Sequence, residues 1–215
     1  MDNGQECPFY VLVGVDLSEL LIVEGESAFR AVSANLDRSF QTVVAMQGKP
    51  INALNRSGAV VLANPSMARL LSALVGADRM VGLVAKDLDQ VAIRFARVAM
   101  LFDPDADGIH CGGLMTAFFD RYFRSLIGQG RLWMIRPPMY EVRLGDEVRY
   151  LDTPDQWVKF RDAAAAAGLP IRPKRYRGLA SLDAAVLRDR CLNPATRRAA
   201  VVTAEDAAAF GRVFG

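Results

Sequence analysis

The amino-acid sequence predicts an α/β fold: a mainly parallel four-stranded sheet with helices on both faces, followed by an α-rich C-terminal tail region. Three observations predict it. Four short apolar runs rich in β-branched residues read as strands. Segments of helical period separate them, and strands that alternate with helices pair in parallel and are covered on both sides. After residue 140 the texture changes to a hairpin followed by capped, polar helices.

The elements follow in order. ELLIV, 19 to 23, reads as a short buried strand. SAFRAVSANL, 27 to 36, spaces Ala28, Val32 and Leu36 as one helical face. QTVVAM, 41 to 46, is a second strand. Asn64 caps a helix through SMARLLSALV, with Pro65 at its first position. RVAMLF, 97 to 102, is a third strand, and CGGLMTAFFDRYFRSLI, 111 to 127, a long helix with a broad apolar face. RLWMI, 131 to 135, is a fourth strand, stopped by Pro137 and Pro138. Beyond it, VRLGDEVRYL reads as a hairpin turning at Gly145-Asp146. DTPDQWVKFRDAAAAAGLP is a capped helix ended by Gly168 and Pro170. RPKRYRG follows, then helices around 182 to 191 and 204 to 213. The expected organisation is a lead-in over 1–18, an α/β domain over 19–140 and a hairpin and helical tail over 141–215.

Composition narrows the function classes. The chain has 215 residues and a net charge of only +2, so bulk charge announces no nucleic-acid binder. Cys7, Cys111 and Cys191 show neither zinc spacing nor a disulfide framework. No apolar run approaches a membrane span and no leader opens the chain, so the expectation is a cytoplasmic protein with no membrane partner.

The chemistry concentrates in LFDPDADGIH, 101 to 110, where Asp103, Asp105 and Asp107 fall on every second residue just past a strand. In an extended segment that spacing puts three carboxylates on one face. Their repulsion is relieved by a proton or a cation, and a hard divalent ion such as Mg²⁺ suits an all-oxygen set. A calcium loop of the D-x-D-x-D-G type fits from Asp103 to Gly108, but its twelfth position, a glutamate in such loops, is Leu114, and a strand precedes it. A solvated acidic turn is the plain alternative. Glu24 ends the first strand and would share an ion with Asp103 if the two strands are neighbours; otherwise it is a helix-start acid.

SELLIVEGESA, QGKPIN, LFDPDADGIH, LMTAFFDRYFRSLI, RLWMIRPPMY, KRYRGLASLD and LNPATRRAAVV stand in the order and approximate spacing of a known family. From about residue 18 onward the chain resembles the TOPRIM and tail region of the B subunit of bacterial DNA gyrase and topoisomerase IV. The resemblance implies a Rossmann-like TOPRIM fold that binds Mg²⁺, with Mn²⁺ as a substitute, and acts on DNA phosphodiesters. By position, Glu24 would be the metal-linked general acid/base, Asp103 and Asp105 the main ligands and Asp107 a supporting one. Lys49, His110, Arg175, Tyr176 and Arg177 would line the DNA groove. The nucleophilic tyrosine of such enzymes belongs to the partner A-type subunit. Cytoplasmic, nucleoid-associated work would follow.

The departures are as informative. Glu26 replaces the aspartate of the E-G-D-S-A signature, Phe29 and Arg30 replace two glycines, and Ser33 stands at a lysine position. AMQGKPINAL and GLASLD lose basic and acidic groups of their family segments. The family's ATP-binding and transducer domains have no counterpart here, and no phosphate loop compensates, so the expectation is a short stand-alone paralogue with no nucleotide site. Three readings stay open: a strand-cleaving B-like protein needing an A-type partner, a non-catalytic regulator of such a subunit or of DNA, and a self-contained TOPRIM nuclease.

Overall fold

The computed structural model describes residues 18–215. The expected lead-in, Ser18 apart, lies outside the described residues, as do Cys7 and Tyr10. The α/β half runs β1 (Glu19–Val23), α1 (Glu26–Ser33), β2 (Gln41–Ala45), α2 (Gly58–Ala63), α3 (Pro65–Val75), β3 (Arg97–Leu101), α4 (Ala106–Tyr122), α5 (Arg124–Gly128) and β4 (Leu132–Ile135). The four strands pair in parallel in the order β2-β1-β3-β4. Chain order reverses between β1 and β3, which is where open α/β sheets form a crevice at their carboxyl ends.

Strand alternation divides the core into two layers. Leu20 and Ile22 point to one face and pack with Leu70 and Leu74 of α3 and Met115 and Phe118 of α4. Leu21 and Val23 point to the other and meet Ala28 and Val32 of α1. Each buried aliphatic side chain contributes about 1.5–3 kcal/mol, so the sheet needs cover on both faces. Asn64 caps α3 by accepting from the backbone N–H groups of Ser66 and Met67, with Pro65 at the first helical position.

Past β4 come β5 (Tyr140–Leu144), β6 (Glu147–Leu151), α6 (Pro154–Ala166), β7 (Arg172–Arg175), α7 (Ala184–Leu187), β8 (Ala199–Val201) and α8 (Ala204–Phe214). α7 runs on into a π-helical turn, Arg188–Leu192. The expected hairpin is β5–β6. β7, read from the sequence only as a basic segment, adds to its other edge to make a second, antiparallel sheet. The tail also closes the first sheet. Tyr176, Leu179, Leu187 and Leu192 pack against the face of Leu21 and Val23. β8 pairs antiparallel with β4, a fifth strand beyond the four expected.

One polar contact fastens this closure. Glu19, at the start of β1, is buried, and both its oxygens accept from the buried Arg197 guanidinium, at 2.7 and 2.5 Å. Gln41 of β2 donates to the same carboxylate at 2.9 Å. A desolvated pair of this kind holds only with such complete partnering.

Both bounds of the long helix differ from expectation, and the helix expected over 27–36 ends at Ser33. The long helix begins at Ala106, not Cys111, because Asp105 caps it by accepting from the Gly108 N–H. It breaks at Phe123, whose backbone (φ −144, ψ 46) leaves the helical region before α5.

Candidate functional site

Four loops meet at the carboxyl edge of the parallel sheet. β1 and β3 are adjacent, with Ile22 opposite Met100, so the residues that follow them, Glu24 and Asp103, emerge side by side. The loop after β2 turns through Gln47 (φ 53) and Gly48 (φ 110), with the Gly48 N–H donating to the Glu24 carbonyl, and carries Lys49 to the same edge. A left-handed non-glycine residue such as Gln47 costs roughly 1 kcal/mol, which the loop's fixed path absorbs.

Glu24 and the three aspartates gather closely enough to feel one another. Burial first, then the charges of Asp103, Asp105 and Asp107, hold the Glu24 carboxyl above its ordinary range. The Cys111 thiol, a hydrogen-bond donor to Glu24, works in the opposite direction. The same burial and the same glutamate push that thiol up to about 12, so it stays protonated as a donor. Asp103 is likewise raised, by burial and then by Asp105, against a lowering bond from the Leu179 N–H at 2.8 Å.

The aspartates do not share one extended face. Asp103 follows the strand, Asp105 caps α4, and Asp107 lies in its first turn. The expectation of three carboxylates on one extended face is therefore corrected: the helix starts within the motif and turns Asp107 outward. There it pairs with Lys49 at 3.2 Å, both side chains exposed. Gly108 is required by close approach. A Cβ there would lie 2.0 Å from the Asp103 carbonyl oxygen, because the first turn of α4 rests on that peptide. Gly178 plays the same part from the tail, where a Cβ would stand 2.6 Å from the Asp103 carboxylate.

The donor set, four neighbouring carboxylates, suits a hard divalent cation. As the side chains stand they do not close on one point: among the described residues no group of three or more His, Cys, Asp or Glu is arranged to hold an ion. Asp105 is engaged as a cap, Asp107 by Lys49 and one Asp103 oxygen by Leu179. Glu24 keeps only the thiol, and Asp103 has a second oxygen. A cavity of about 210 Å³ opens beside Asp103, between Phe102, Met134, Arg136 and Phe210.

The expected DNA contacts divide. Lys49 and His110 are exposed at the acidic edge, with Lys49 Nζ 3.4 Å from His110 Nδ1. Arg177 is exposed next to Gly178, hence beside Asp103; Arg175 is exposed further along β7. Tyr176 is not in the groove, and that expectation is corrected. It is 1% exposed, packed under the sheet, and its hydroxyl donates to the buried Glu141 at 2.6 Å. β7 ends at Arg175, and the chain beyond it turns the ring of Tyr176 inward while Arg175 and Arg177 stay exposed. Sequence reading missed Cys111, one helical turn beyond Asp107. Only the true start of α4 brings it to Glu24.

Residues 19–137 match the family described as Toprim domain. The chain is 33% identical over 197 residues to the B subunit of DNA gyrase from Thermotoga maritima, covering 92% of this chain and 30% of that protein. It is 33% identical to the B subunit of DNA gyrase from Archaeoglobus fulgidus, covering 91% of this chain and 29% of the relative. It is 32% identical to the B subunit of DNA topoisomerase 4 from Pseudomonas aeruginosa, covering 88% and 29%. The chain thus spans under a third of the length of these relatives, while the likeness runs through the tail as well as the parallel sheet.

Proposed function

The chain belongs to the Toprim domain family, and on that premise we propose that it is the B-like half of a Mg²⁺-dependent DNA strand-breaking and rejoining pair. The observation that carries the reading is the convergence of Glu24 and Asp103 at the switch point of the sheet, with Lys49 and His110 alongside.

In this reading Glu24, Asp103 and Asp105 hold Mg²⁺, which when bound supplies charge to neutralise and polarise a scissile phosphate. The chain's own residues do the rest. Glu24, beside the ion, relays the proton that the leaving 3′-oxygen gains on cleavage and loses on rejoining. Lys49, His110, Arg175 and Arg177 position the DNA backbone by phosphate contacts that carry no sequence information.

The attacking hydroxyl comes from elsewhere. Among the described tyrosines, Tyr122 and Tyr176 are buried, Tyr140 stacks on Trp157 and Tyr150 lies under Arg190. None stands at the acidic edge. The relatives are named as B subunits, which supports a second, differently named subunit as the source.

The test mixes the chain with a cognate A-type subunit, supercoiled plasmid and Mg²⁺, then traps broken DNA with detergent. The expected product is cleaved DNA covalently attached to the A-type subunit, reduced about a hundredfold or more by Glu24→Gln. Inhibition of the A-type subunit without cleavage would replace this reading with a regulatory one. Nicking by the chain alone, lost in Asp103→Asn, would replace it with a nuclease.

A further inference from the structure

The helix α8 ends on the site. Phe214, in its last turn, stacks on His110 with ring centroids 5.2 Å apart and planes 16° from parallel. Its carbonyl accepts from Asn52 Nδ2 at 2.9 Å and Asn55 Nδ2 at 3.2 Å, in the loop that carries Lys49. One residue therefore touches both groups that flank Asp107, the imidazole through its ring and the Lys49 loop through its backbone. Lys49 Nζ closes the circuit, 3.2 Å from Asp107 and 3.4 Å from His110. α8 reaches this position over Gly113 of α4, where a Cβ would stand 2.6 Å from the Phe214 ring and 2.8 Å from that of Phe210. A larger residue there must displace one of those rings. Elsewhere the loop is held by Arg121, which donates to the carbonyls of Leu54 and Arg56 at 3.0 and 3.1 Å. Arg121 also donates to the Ala53 carbonyl, next to Asn52, so Arg121 and Phe214 hold the loop from two sides.

We propose that Phe214 is a positioning residue, which fixes His110 and Lys49 relative to each other so that both meet one stretch of DNA backbone. An exposed lysine with four rotatable bonds and an exposed imidazole lose conformational freedom when they bind a phosphate. A stacked ring and a tethered loop remove part of that freedom beforehand, and pre-organisation of this kind raises affinity with no new contact to the ligand. The proposal rests on the reading of Lys49 and His110 as DNA contacts, and its test separates the two.

His110 is the one histidine of the chain, so its ring gives a single, assignable set of NMR signals. Phe214→Leu keeps an apolar side chain and removes the stacked ring. Its expected effects are loss of the upfield ring-current displacement of the His110 signals and weaker duplex-DNA binding. The log-affinity versus log-salt slope should stay as in the parent, because the phosphate contacts remain and only their pre-organisation is lost. Gly113→Ala, acting from the other side of the interface, should do the same, and Phe214→Tyr should restore both readouts. The double variant Phe214→Leu with Lys49→Ala should bind no more weakly than the weaker single one, because the two act as a unit. Additive losses, or an unchanged affinity in Phe214→Leu, would overturn the proposal. If the parent chain binds no DNA, the groove assignment fails and the positioning is judged by NMR alone. Lys49→Ala should then move the His110 signals in the parent and leave them in place in Phe214→Leu; equal movement in both backgrounds would overturn it.

Discussion

At the scale of single residues, the site is built from close approaches and crowded charge, and each has a measurable cost. The Gly108→Ala methyl would meet the Asp103 carbonyl, which is backbone and cannot step aside. The expected loss is about 2–3 kcal/mol, read as a lower urea midpoint at unchanged slope. Crowded charge acts with pH. Glu24 and Asp103 both have carboxyls raised in the folded chain. Between the ordinary and the raised values the folded state holds more protons than the unfolded one, so stability falls as pH rises through that window. Without divalent ions, Glu24→Gln should therefore melt higher than the parent at pH 8. The advantage should vanish below about pH 4, where the unfolded carboxyl is protonated as well. A variant that melts no higher at pH 8 would mean that the repulsion is relieved some other way. Tyr176→Phe leaves buried Glu141 without its hydroxyl donor and should cost about 1–3 kcal/mol, with duplex-DNA binding unchanged because the ring never reaches the groove.

At the scale of elements, sequence legibility follows where strand character comes from. β1, β2, β3 and β4 carry it in their own apolar residues, and their bounds are readable within a residue. β7, RPKR, has no such content and β8, AAV, is short and small-sided; they are strands because β5 and β4 offer backbone partners. Nothing local announces them. The start of α4 is hidden for a related reason, since its first turn, Ala-Asp-Gly, reads as a loop until Asp105 is seen to cap it. Glu24 and Asp103 are legible as a pair because both sit one or two residues past strands, and parallel neighbours end at the same edge. Cys111 and Phe214 are not, because each reaches the site by packing rather than by motif. The Glu19–Arg197 pair is the element-scale joint to test. Arg197→Met leaves a buried carboxylate with Gln41 as its main donor and Arg97, 3.6 Å away, as its remaining cation, and should cost about 3–5 kcal/mol. Glu19→Gln added to it should recover part of that loss, since no buried carboxylate then remains and the Arg97 side chain, 34% exposed, reaches water. A cost under about 1 kcal/mol for Arg197→Met alone, the range of an exposed pair, would show that the tail is fastened mainly by its apolar layer.

At the scale of the whole molecule, the tail completes both the sheet and the site. Tyr176 to Leu192 cover one face, β8 extends the edge, Leu179 donates to Asp103 and Phe214 stacks on His110. Mg²⁺ or Mn²⁺ should raise the melting temperature of this assembly, since a ligand that binds only the folded state stabilises it. Asp103→Asn together with Asp105→Asn should abolish the shift; an undiminished shift would place the ions elsewhere. The Arg197 joint also has a consequence in time. Synthesis runs from the amino end, so Glu19 waits for a partner made 178 positions later. A nascent chain cannot add the fifth strand or the partner of Glu19 until that stretch has left the ribosome. Leu179 and Phe214 reach the acidic edge in the same late interval. A message broken before it therefore yields fragments that carry the carboxylates without the Leu179 and Phe214 contacts to that edge.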